Sequence, residues 1–483
     1  MNNWIMLVGG IILMSLVSNG EILPKKYGYV PLTFPRDPAE VNQFAEHIVL
    51  GQILEPMVDT DKLGNVTPGI AESWVFDNKG LTIKFKIRTD KVFSNGKKLE
   101  SKDIKYTIER ILEKKSQSSN FLSSISSLEA LTPDSLIIHL KEVNVSILKA
   151  LSRDQLGVVP MGWTFDKESL EPLIGSGPYR LIKNGKNWNL EINEKYPNSA
   201  NISIKKWQLI FFADNELNVP NLELPDYVPG ATLAIKTEME KNGDFKKLKT
   251  VSQISYAQTS AWWHPHGAHF SSKEMKRRVM GLVEELMSSG CKKLDLERAT
   301  GVIPKGVAGH LAVTQFPKIE KQKYDKLETI RFVFVGATFD EFTKKSNIES
   351  IAKEHGFKIE VVKIAPTELP KVAEKRPDVI FAGWAGGFND PEGFIALLPS
   401  FLSKDFSTYI GVDISEKYKK AKQEQNWTIR SELFQQINEE LRKSQLMVPG
   451  WRIPFFIIAK PNLISEEATF RYTPRLHLVK EQK

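Results

Sequence analysis

Residues 80–112 read GLTIKFKIRTDKVFSNGKKLESKDIKYTIERIL and have the clearest local pattern in the chain. Apolar residues alternate with polar ones at Leu81, Ile83, Phe85 and Ile87. This alternation predicts a half-buried strand. Asn95-Gly96 then predicts a tight turn, and Ser101 is a candidate cap for a helix with apolar residues at helical spacing. A strand, a turn and a helix in succession predict a mixed α/β unit, which we extend over residues 45–170.

A further helix is predicted before this unit, in the stretch RDPAEVNQFAEHIVLGQILEPMV. Asp37 takes the N-cap position, Pro38 the first helical position, and Glu40 completes a capping box. Later in the chain, residues 179–193 predict a hairpin. The stretch SSKEMKRRVMGLVEELMSSG predicts a helix that ends at Gly290.

The second half of the chain alternates between predicted strands and helices. TIRFVFVG and KIEVVKI are predicted strands on either side of a predicted helix, FDEFTKKSNIESIAKEHGF, and PDVIFAGW is a predicted buried strand. This βαβ alternation predicts a parallel sheet between helices. The next helix, WTIRSELFQQINEELRKS, is predicted to bury Ile429, Leu433, Ile437 and Leu441.

The composition is typical of a large soluble protein. The chain has 483 residues, 41% of them hydrophobic and 26% charged, and this length predicts about three domains. The net charge is +8 and the pI about 9.1, but lysines are interleaved with glutamates, as in KIEKQKYDKLE. No basic stripe with interleaved aromatic residues is evident, so we expect no nucleic-acid partner.

Residues 1–20 differ from the remainder of the chain. Trp4–Val17 is almost wholly apolar but shorter than the ~20 residues of a spanning helix. Ser18 and Gly20 place small residues at the two positions that a signal peptidase recognises. This pattern predicts a secretory signal peptide cut after Gly20; the alternative is an uncleaved N-terminal anchor. The single cysteine, Cys291, excludes an internal disulfide and lies far from the cleavage site, so we expect no lipoprotein anchor.

The sequence lacks the short motifs of several large enzyme classes. G-x-S-x-G, H-E-x-x-H, the Walker A loop and G-x-G-x-x-G are absent, so we expect neither an enzyme nor a cofactor. The segment WWHPHGAHF contains three weak candidates for metal ligands, His264, His266 and His269. No fourth ligand is evident, so a solvated loop is the favoured interpretation. Asp390 has too few oxygen-bearing neighbours for a calcium loop.

The segment GWAGGFNDPEGF follows the predicted buried strand PDVIFAGW. Gly386 and Gly387 permit close approach of the backbone to another molecule, and Trp384 and Phe388 offer stiff apolar surface. Ligands favour the carboxyl ends of strands in α/β sheets, which makes this segment a candidate ligand wall. The residues alone leave a strand-to-helix turn with core aromatics equally open.

A resemblance to one family is carried by several segments in chain order: ILEPMV, PGIAESW, GLTIKFKIR, VFSNG, GSGPY and GWAGGFNDP. Each segment is weak alone. Together they resemble the hallmark segments of the family 5 extracellular solute-binding proteins, which serve peptide and nickel ABC importers. The resemblance fades between residues 260 and 344.

The resemblance implies an α/β chain with a two-lobed periplasmic-binding-protein fold (class II, Venus-flytrap) and an additional small α/β domain. Lobe I would comprise residues 21–44, 171–258 and 450–483, the small domain residues 45–170, and lobe II residues 259–449. Ligand would bind between the lobes. It would drive their closure through contacts that are better in the closed state.

A set of candidate ligand-binding residues also follows from the resemblance: Trp384, Ala385, Gly386, Gly387, Phe388, Asp390, Trp262, Trp263 and Phe34. In peptide receptors of this family, an aspartate three residues after the motif tryptophan grips the amino terminus of the ligand. Here that position is Gly387, and Asp390 matches the second, more structural acid of the motif. A buried ammonium without a carboxylate is costly, so either another acid substitutes or the ligand is not a peptide with a free amino terminus.

The function implied is that of an exported solute-binding protein that captures a ligand, with a peptide favoured, and delivers it to an ABC-type membrane permease. The protein would be a periplasmic or extracellular monomer. One alternative is a receptor of the same fold for a sugar, a metal chelate or haem. Others are an exported hydrolase that uses the cleft, and a family member repurposed for signalling or adhesion.

Overall fold

The computed structural model describes residues 25–31, 34–41, 44–61, 64–77, 79–115, 117–212, 224–253, 255–264, 267, 272–312, 324–336, 348–385, 390–395, 414–444, 446–464 and 474–482. The predicted signal peptide, residues 1–20, lies outside this set. None of the helices in the described ranges combines the length and the hydrophobicity that a bilayer crossing requires.

The strands of the described residues are β1 (Lys25–Pro31), β2 (Val58–Thr60), β3 (Val66–Pro68), β4 (Ala71–Phe76), β5 (Thr82–Ile87), β6 (Ile125–Thr132), β7 (Ser135–Leu140), β8 (Tyr179–Asn184), β9 (Asn187–Ile192), β10 (Lys206–Phe212), β11 (Tyr227–Ala231), β12 (Lys249–Gln253), β13 (Ala257–Trp263), β14 (Glu328–Val335), β15 (Phe357–Ile364), β16 (Val379–Ala385), β17 (Met447–Arg452) and β18 (Phe455–Ala459). The helices are α1 (Phe44–Ile53), α2 (Ser101–Lys114), α3 (Ile147–Ala150), α4 (Leu233–Met239), α5 (Lys273–Leu294), α6 (Ile348–Glu354), α7 (Glu392–Ile395), α8 (Ser415–Gln423) and α9 (Trp427–Lys443).

The first large sheet, which we call the lobe I sheet, has the described strand order β12-β18-β11-β1-β10-β9-β8. β1 runs parallel to β10 and β11, while the other neighbours are antiparallel. Helix α1 is buried on nearly all sides beside this sheet. Two of its buried polar side chains are paired: Glu46 with Arg36, and Gln52 with the Leu476 amide, from which it accepts a hydrogen bond.

The small domain is built on the antiparallel sheet β4-β5-β7-β6, with α2 packed against it. Ile83, Phe85 and Ile87 of β5 are buried while the intervening lysines are exposed, so the predicted alternation is confirmed. The predicted turn at Asn95-Gly96 is also confirmed, because the Phe93 amide donates to the Lys97 carbonyl across it.

The second large sheet, which we call the lobe II sheet, has the described order β15-β14-β16-β13-β17. β15, β14 and β16 are parallel, as the βαβ alternation predicts. β13 runs antiparallel to β16 and to β17, so the sheet is mixed rather than wholly parallel. Helices α5 and α9 contribute apolar residues to its core.

The chain passes between the two large sheets twice. It leaves β12 at Gln253 for β13, and it returns from β17 at Arg452 to β18. The two crossing segments are hydrogen-bonded to each other: Ser255 Oγ donates to the Ile453 carbonyl at 2.6 Å, and the Ile453 amide donates to the Ala257 carbonyl at 2.9 Å. The crossings therefore form a paired connection between the lobes.

The predicted helix around Asp37 is divided in two. Asp37 does cap a turn, but this is a short 3-10 turn at Pro38–Glu40, and Val41 is extended before α1 begins at Phe44. The Glu40 side chain pairs with Lys114 of the small domain instead of completing a capping box.

Other helix boundaries also differ from prediction. The N-cap of α2 is Glu100, which forms a capping box with Asp103, so Ser101 is the first helical residue. Helix α5 runs through Gly290 to Leu294, where Asp295 adopts the left-handed conformation that ends it. Helix propensity in the flanking residues outweighs the single glycine.

The buried face of α9 is rotated relative to prediction. Ile437 and Leu441 are buried and Leu433 is partly buried, but Ile429 is 47% exposed. Arg430 and Phe434 occupy the buried positions instead. An arginine on the inner face of a helix needs a partner, and that partner lies in the candidate site.

Candidate functional site

The GWAGGFNDPEGF segment begins within β16, in the interior of the lobe II sheet. The backbone of Trp384 pairs with Gln258, and that of Ala385 pairs with Ala257. The structure does not describe Gly386, Gly387, Phe388 or the side chain of Trp384. The predicted strand end is therefore in place, while contacts of these side chains stay predictions.

The end of β16 lies next to the connection between the lobes. Ala385 packs on a small buried cluster of Ala257, Ile453 and Phe455. Phe44, at the start of α1, stacks on Phe455 with ring centroids 4.5 Å apart and planes 3° from parallel. The candidate segment thus starts where elements of both lobes meet.

Asp390, at the far end of the segment, is held by a buried arginine. Arg430 of α9 donates from Nη1 to Oδ2 and from Nη2 to Oδ1, both at 2.9 Å. Ser146 Oγ donates to Oδ1 at 2.9 Å, and Arg430 Nη2 also donates to Ser146 Oγ at 2.5 Å. A two-pronged arginine–carboxylate pair of this kind fixes both position and orientation.

The surroundings of Asp390 give it an anchoring role. Asp390 and Arg430 are each only 2% exposed. Both carboxylate oxygens accept hydrogen bonds from protein donors, and the Glu392 amide adds a third donor to Oδ1 at 3.0 Å. The chain at Asp390, immediately after residues 386–389, is therefore clamped.

Glu392, two residues further, is a buried carboxyl with a perturbed proton affinity. Burial raises the pKa of Glu392, and the neighbouring Asp390 carboxylate adds to the rise. Lys422 and Arg430 act in the opposite direction without cancelling the effect of burial. Folding therefore favours the protonated form of this side chain.

Glu392→Gln is expected to change how stability depends on pH. A carboxyl with a raised pKa in the folded state stabilises the protein fully below its ordinary pKa, and this contribution is lost as pH rises through the raised value. Glu392→Gln has no such loss. The Tm of the variant minus the Tm of the unsubstituted protein should therefore be larger at pH 8 than at pH 4. Tm measured in steps across this range tests the prediction.

The matched control for Glu392→Gln is Glu439→Gln, which removes an exposed carboxylate. Lys443 lowers the pKa of Glu439, so its replacement should bring no gain at pH 8. If the Tm difference between Glu392→Gln and the unsubstituted protein is the same at every pH, the proposed titration of Glu392 is wrong.

The aromatic residues predicted as ligand contacts outside this segment are placed in apolar cores. Trp262 and Trp263 are 2% and 1% exposed in the lobe II core, and Phe34 is buried in the lobe I core. Because β13 is antiparallel to β16, the two tryptophans pair with Ile380 and Val379. They thus lie about 14–17 Å along the strand from Trp384, and the structure does not bring them beside the segment.

The histidine candidates are only partly described. His264 is buried at the end of β13, where its amide donates to the Asp378 carbonyl at 2.8 Å. His266 and His269 lie outside the described residues. Within the described ranges, no group of three or more His, Cys, Asp or Glu side chains is arranged to hold a metal ion.

The residues that sequence reasoning missed are Arg430, Ser146 and Gln258. The Gln258 side chain is buried beside β16, and its Nε2 donates to the Gly301 carbonyl at 2.7 Å. The sequence does carry a signal for Arg430, because it shares helical spacing with three apolar residues, Phe434, Ile437 and Leu441. An arginine on such an apolar stripe indicates a buried, paired side chain. Ser146 carries no comparable signal.

A separate cavity of about 130 Å³ lies between the small domain and the lobe I elements. Glu55, Asp59, Tyr196 and Arg475 are among its lining residues. Arg475 is engaged there, donating to Asp154 and to Asp59, each at 3.1 Å. None of the lining residues belongs to the segment 383–394, so this cavity is distinct from the candidate site.

Sequence comparison finds a family match in the middle of the chain. Residues 65–224 match the model of the bacterial extracellular solute-binding proteins, family 5 Middle. A curated relative is the oligopeptide-binding protein AliB of Streptococcus pneumoniae, which is 29% identical over 90 residues. That alignment spans 18% of this chain and only 13% of the length of the relative.

Comparison with solved structures finds the same architecture over nearly the whole chain. Haemophilus influenzae OppA in complex with RPPGFSPFR aligns with a TM-score of 0.76 at 15% identity, covering 96% of this chain and 100% of that one. A dipeptide-binding protein of Pseudoalteromonas sp. SM9913 in complex with Met-Leu gives 0.79 at 12% identity, with coverages of 95% and 100%. NikA of Brucella suis in complex with Fe(III)-EDTA gives 0.76 at 17% identity, also with coverages of 95% and 100%.

At these identities the structural likeness establishes the fold, which is the two-lobed periplasmic-binding-protein fold with mixed α/β content. The sequence match adds a similarity, over residues 65–224, to the family 5 bacterial extracellular solute-binding proteins.

Proposed function

We propose that the protein is an exported receptor that captures a ligand between its two lobes and presents it to the permease of an ABC importer. The observation that carries the proposal is the position of the candidate segment. It starts at the end of a central strand of the lobe II sheet, beside the paired connection to lobe I, and it is clamped at its far end by Arg430. A wall fixed in this way suits a ligand that both lobes contact.

The proposed division of the chain follows the family pattern. Lobe I comprises residues 21–44, 171–258 and 450–483, the small domain residues 45–170, and lobe II residues 259–449. The protein acts as a monomer in the periplasm or outside the cell after removal of its signal peptide, and it binds its ligand without transforming it.

A peptide is the proposed ligand. The relatives that support this choice are OppA, solved with a nonapeptide, and the dipeptide-binding protein, solved with Met-Leu. Trp384 and Phe388 are the proposed side-chain contacts, because aromatic rings give large contact area at a small cost in conformational entropy.

The residue at position 387 favours a second candidate function, a receptor for a non-peptide ligand. A glycine there provides no carboxylate for a ligand ammonium group. The fold is compatible with such ligands, since NikA was solved with Fe(III)-EDTA and AgaA of A. tumefaciens with agropinic acid. A peptide with a blocked amino terminus, a sugar, a metal chelate and haem are the classes to compare.

Ligand-induced stabilisation tests the proposal. We expect Tm to rise with one of five additives: di- to nonapeptides, N-acetylated peptides, sugars, chelated nickel or iron, and haem. Binding to the native state stabilises it by about 2.7 kcal/mol at a ligand concentration 100 times Kd. Native mass spectrometry of the purified protein complements the screen by weighing any ligand that co-purifies.

Two variants make the screen specific to the site. Trp384→Ala should abolish the rise in Tm, while Phe76→Ala, at an exposed aromatic of β4 in the small domain, should leave it unchanged. No stabilisation by any class would overturn the receptor proposal. Appearance of a cleaved product during incubation would instead establish an exported hydrolase.

A further inference from the structure

The small domain touches lobe II along one strip of polar contacts. The strip comprises residues 142–149, which follow β7 and continue into α3, together with the facing parts of α7, α8 and α9. The Val145 amide donates to the Lys422 carbonyl at 3.1 Å. Lys422 Nζ donates to Glu142 Oε1 at 2.9 Å, and Lys149 Nζ lies 3.9 Å from Asp390 Oδ2.

Ser146 is the most deeply buried polar residue of this strip. Its hydroxyl donates to Asp390 and accepts from Arg430, so it completes the buried network that holds the end of the ligand segment. Asn144, also buried, places its side-chain amide 3.5 Å from Glu392 Oε1. The small domain therefore contributes side chains to the support of a lobe II loop.

Other contacts attach the small domain to lobe I elements. Arg475, near the C-terminus, joins Asp59 and Asp154, while Arg110 of α2 pairs with Asp37. The strip is thus a junction between one body, formed by lobe I and the small domain, and a second body, formed by lobe II. It lies apart from the two chain crossings and is not covalently fixed.

The chemistry of the strip suits reversible contact. Arg430 and Asp390 both belong to lobe II, so their ion pair persists if the two bodies separate. Separation exposes the Ser146 hydroxyl, the Val145 amide, the Asn144 side chain, Lys149 and the Glu142–Lys422 pair, which are polar groups that water can satisfy. Because water replaces these polar contacts, breaking them costs little.

We propose that this strip is a latch by which the small domain supports the ligand-competent arrangement of the lobes, with Ser146 as a positioning residue for the segment that ends at Asp390. The proposal rests on the proposed receptor function and assigns the small domain a part in it. Ligand and latch favour the same arrangement of the lobes, so each strengthens the other.

Hydrogen exchange at the Val145 amide reports directly on the latch, because its hydrogen bond crosses the junction. In ligand-free protein, Ser146→Ala should speed exchange at Val145 about tenfold. The loss of one hydrogen bond across the junction shifts the equilibrium between its closed and locally open states by about that factor. Glu142→Gln, at a less buried position, should act in the same direction. Ser146→Thr, which keeps the hydroxyl, should restore slow exchange.

Ser101→Ala is the matched control. Ser101 is a buried serine of the small domain, and its hydrogen bonds among the described residues, from the hydroxyl to the Thr132 carbonyl and from the amide to the Pro133 carbonyl, stay within that domain. Exchange at Val145 should be unchanged in this variant. Equal exchange in Ser146→Ala, Ser101→Ala and the unsubstituted protein would overturn the latch, as would equal acceleration in both alanine variants.

Titration with RPPGFSPFR and Met-Leu then separates the latch from the receptor function. For a peptide that binds, Kd should rise about tenfold in Ser146→Ala and stay unchanged in Ser101→Ala. An unchanged Kd in Ser146→Ala would overturn the coupling to ligand. Failure of every ligand class to bind would overturn the receptor function, while the exchange result in ligand-free protein would still decide whether the latch exists.

Discussion

Replacing Arg430 with methionine is expected to lower the free energy of unfolding by about 3–5 kcal/mol, because it removes the hydrogen-bonded counter-charge of the buried Asp390 carboxylate and leaves only Lys149, 3.9 Å away. Ser146 and the Glu392 amide remain as neutral donors, but they do not offset the loss of two charge-assisted hydrogen bonds. A loss of this size is a large fraction of the stability of a typical domain. Urea unfolding monitored by circular dichroism measures it.

A double variant separates the loss of the charge partner from the loss of packing. Asp390→Leu combined with Arg430→Met removes both charges, and we expect it to recover most of the stability lost in Arg430→Met, since an apolar pair can replace a buried ion pair at little net cost. Lys443→Met, on the exposed face of the same helix, is the control and should change stability by less than about 1 kcal/mol. If Arg430→Met costs no more than Lys443→Met, the anchoring role of Arg430 is wrong.

Gly175→Ala is expected to have the second large effect, a loss of about 3 kcal/mol. A Cβ at position 175 would lie 2.1 Å from the Ile53 carbonyl oxygen and 2.7 Å from the Leu54 side chain. The nearest contact is backbone at the end of α1, which cannot move aside like the tip of a flexible side chain. Relief requires a shift of the whole GSGPY segment, at the cost of the hydrogen bond from the Gly177 amide to the Ile53 carbonyl.

Gly243→Ala provides the control for this substitution. No atom lies within 4 Å of the Cβ position at Gly243, and its backbone is outside the left-handed region. Its Tm should stay within a few degrees of the unsubstituted protein or rise slightly, because alanine restricts the unfolded chain. Similar Tm values for the two variants would show that the GSGPY segment relaxes freely, contrary to the expectation.

The parts of the fold that sequence predicts well are those set by neighbouring residues. The alternation in β5, the turn at Gly96 and the parallel strands β14 to β16 follow from side-chain periodicity and backbone preference. The break in the helix between Pro38 and Phe44 does not follow from local preference. The chain there forms ion pairs with α2 of the small domain, which is distant in sequence. Long-range contacts of this kind override local helix preference.

The candidate site divides in the same way. The position of the segment at a strand end was predictable from PDVIFAGW alone, whereas the partner of Asp390 lies 40 residues further along the chain. Trp262 and Trp263 are aromatic and close in sequence to a strand end, but the antiparallel direction of β13 places them at the wrong end of β16. Strand direction depends on how the chain crosses between lobes, which no local pattern reveals.

The strand order of the lobe I sheet has a consequence for how the chain is made. β18 lies between β11 and β12 and pairs with both, although all five strands of the lobe II sheet lie between β12 and β18 in the sequence. β12 therefore has no place in this sheet until residue 459 has left the ribosome, by which time the whole of the lobe II sheet has emerged. The lobe I sheet is therefore completed only after the lobe II sheet has been synthesised, so the two sheets cannot fold strictly one after the other in chain order.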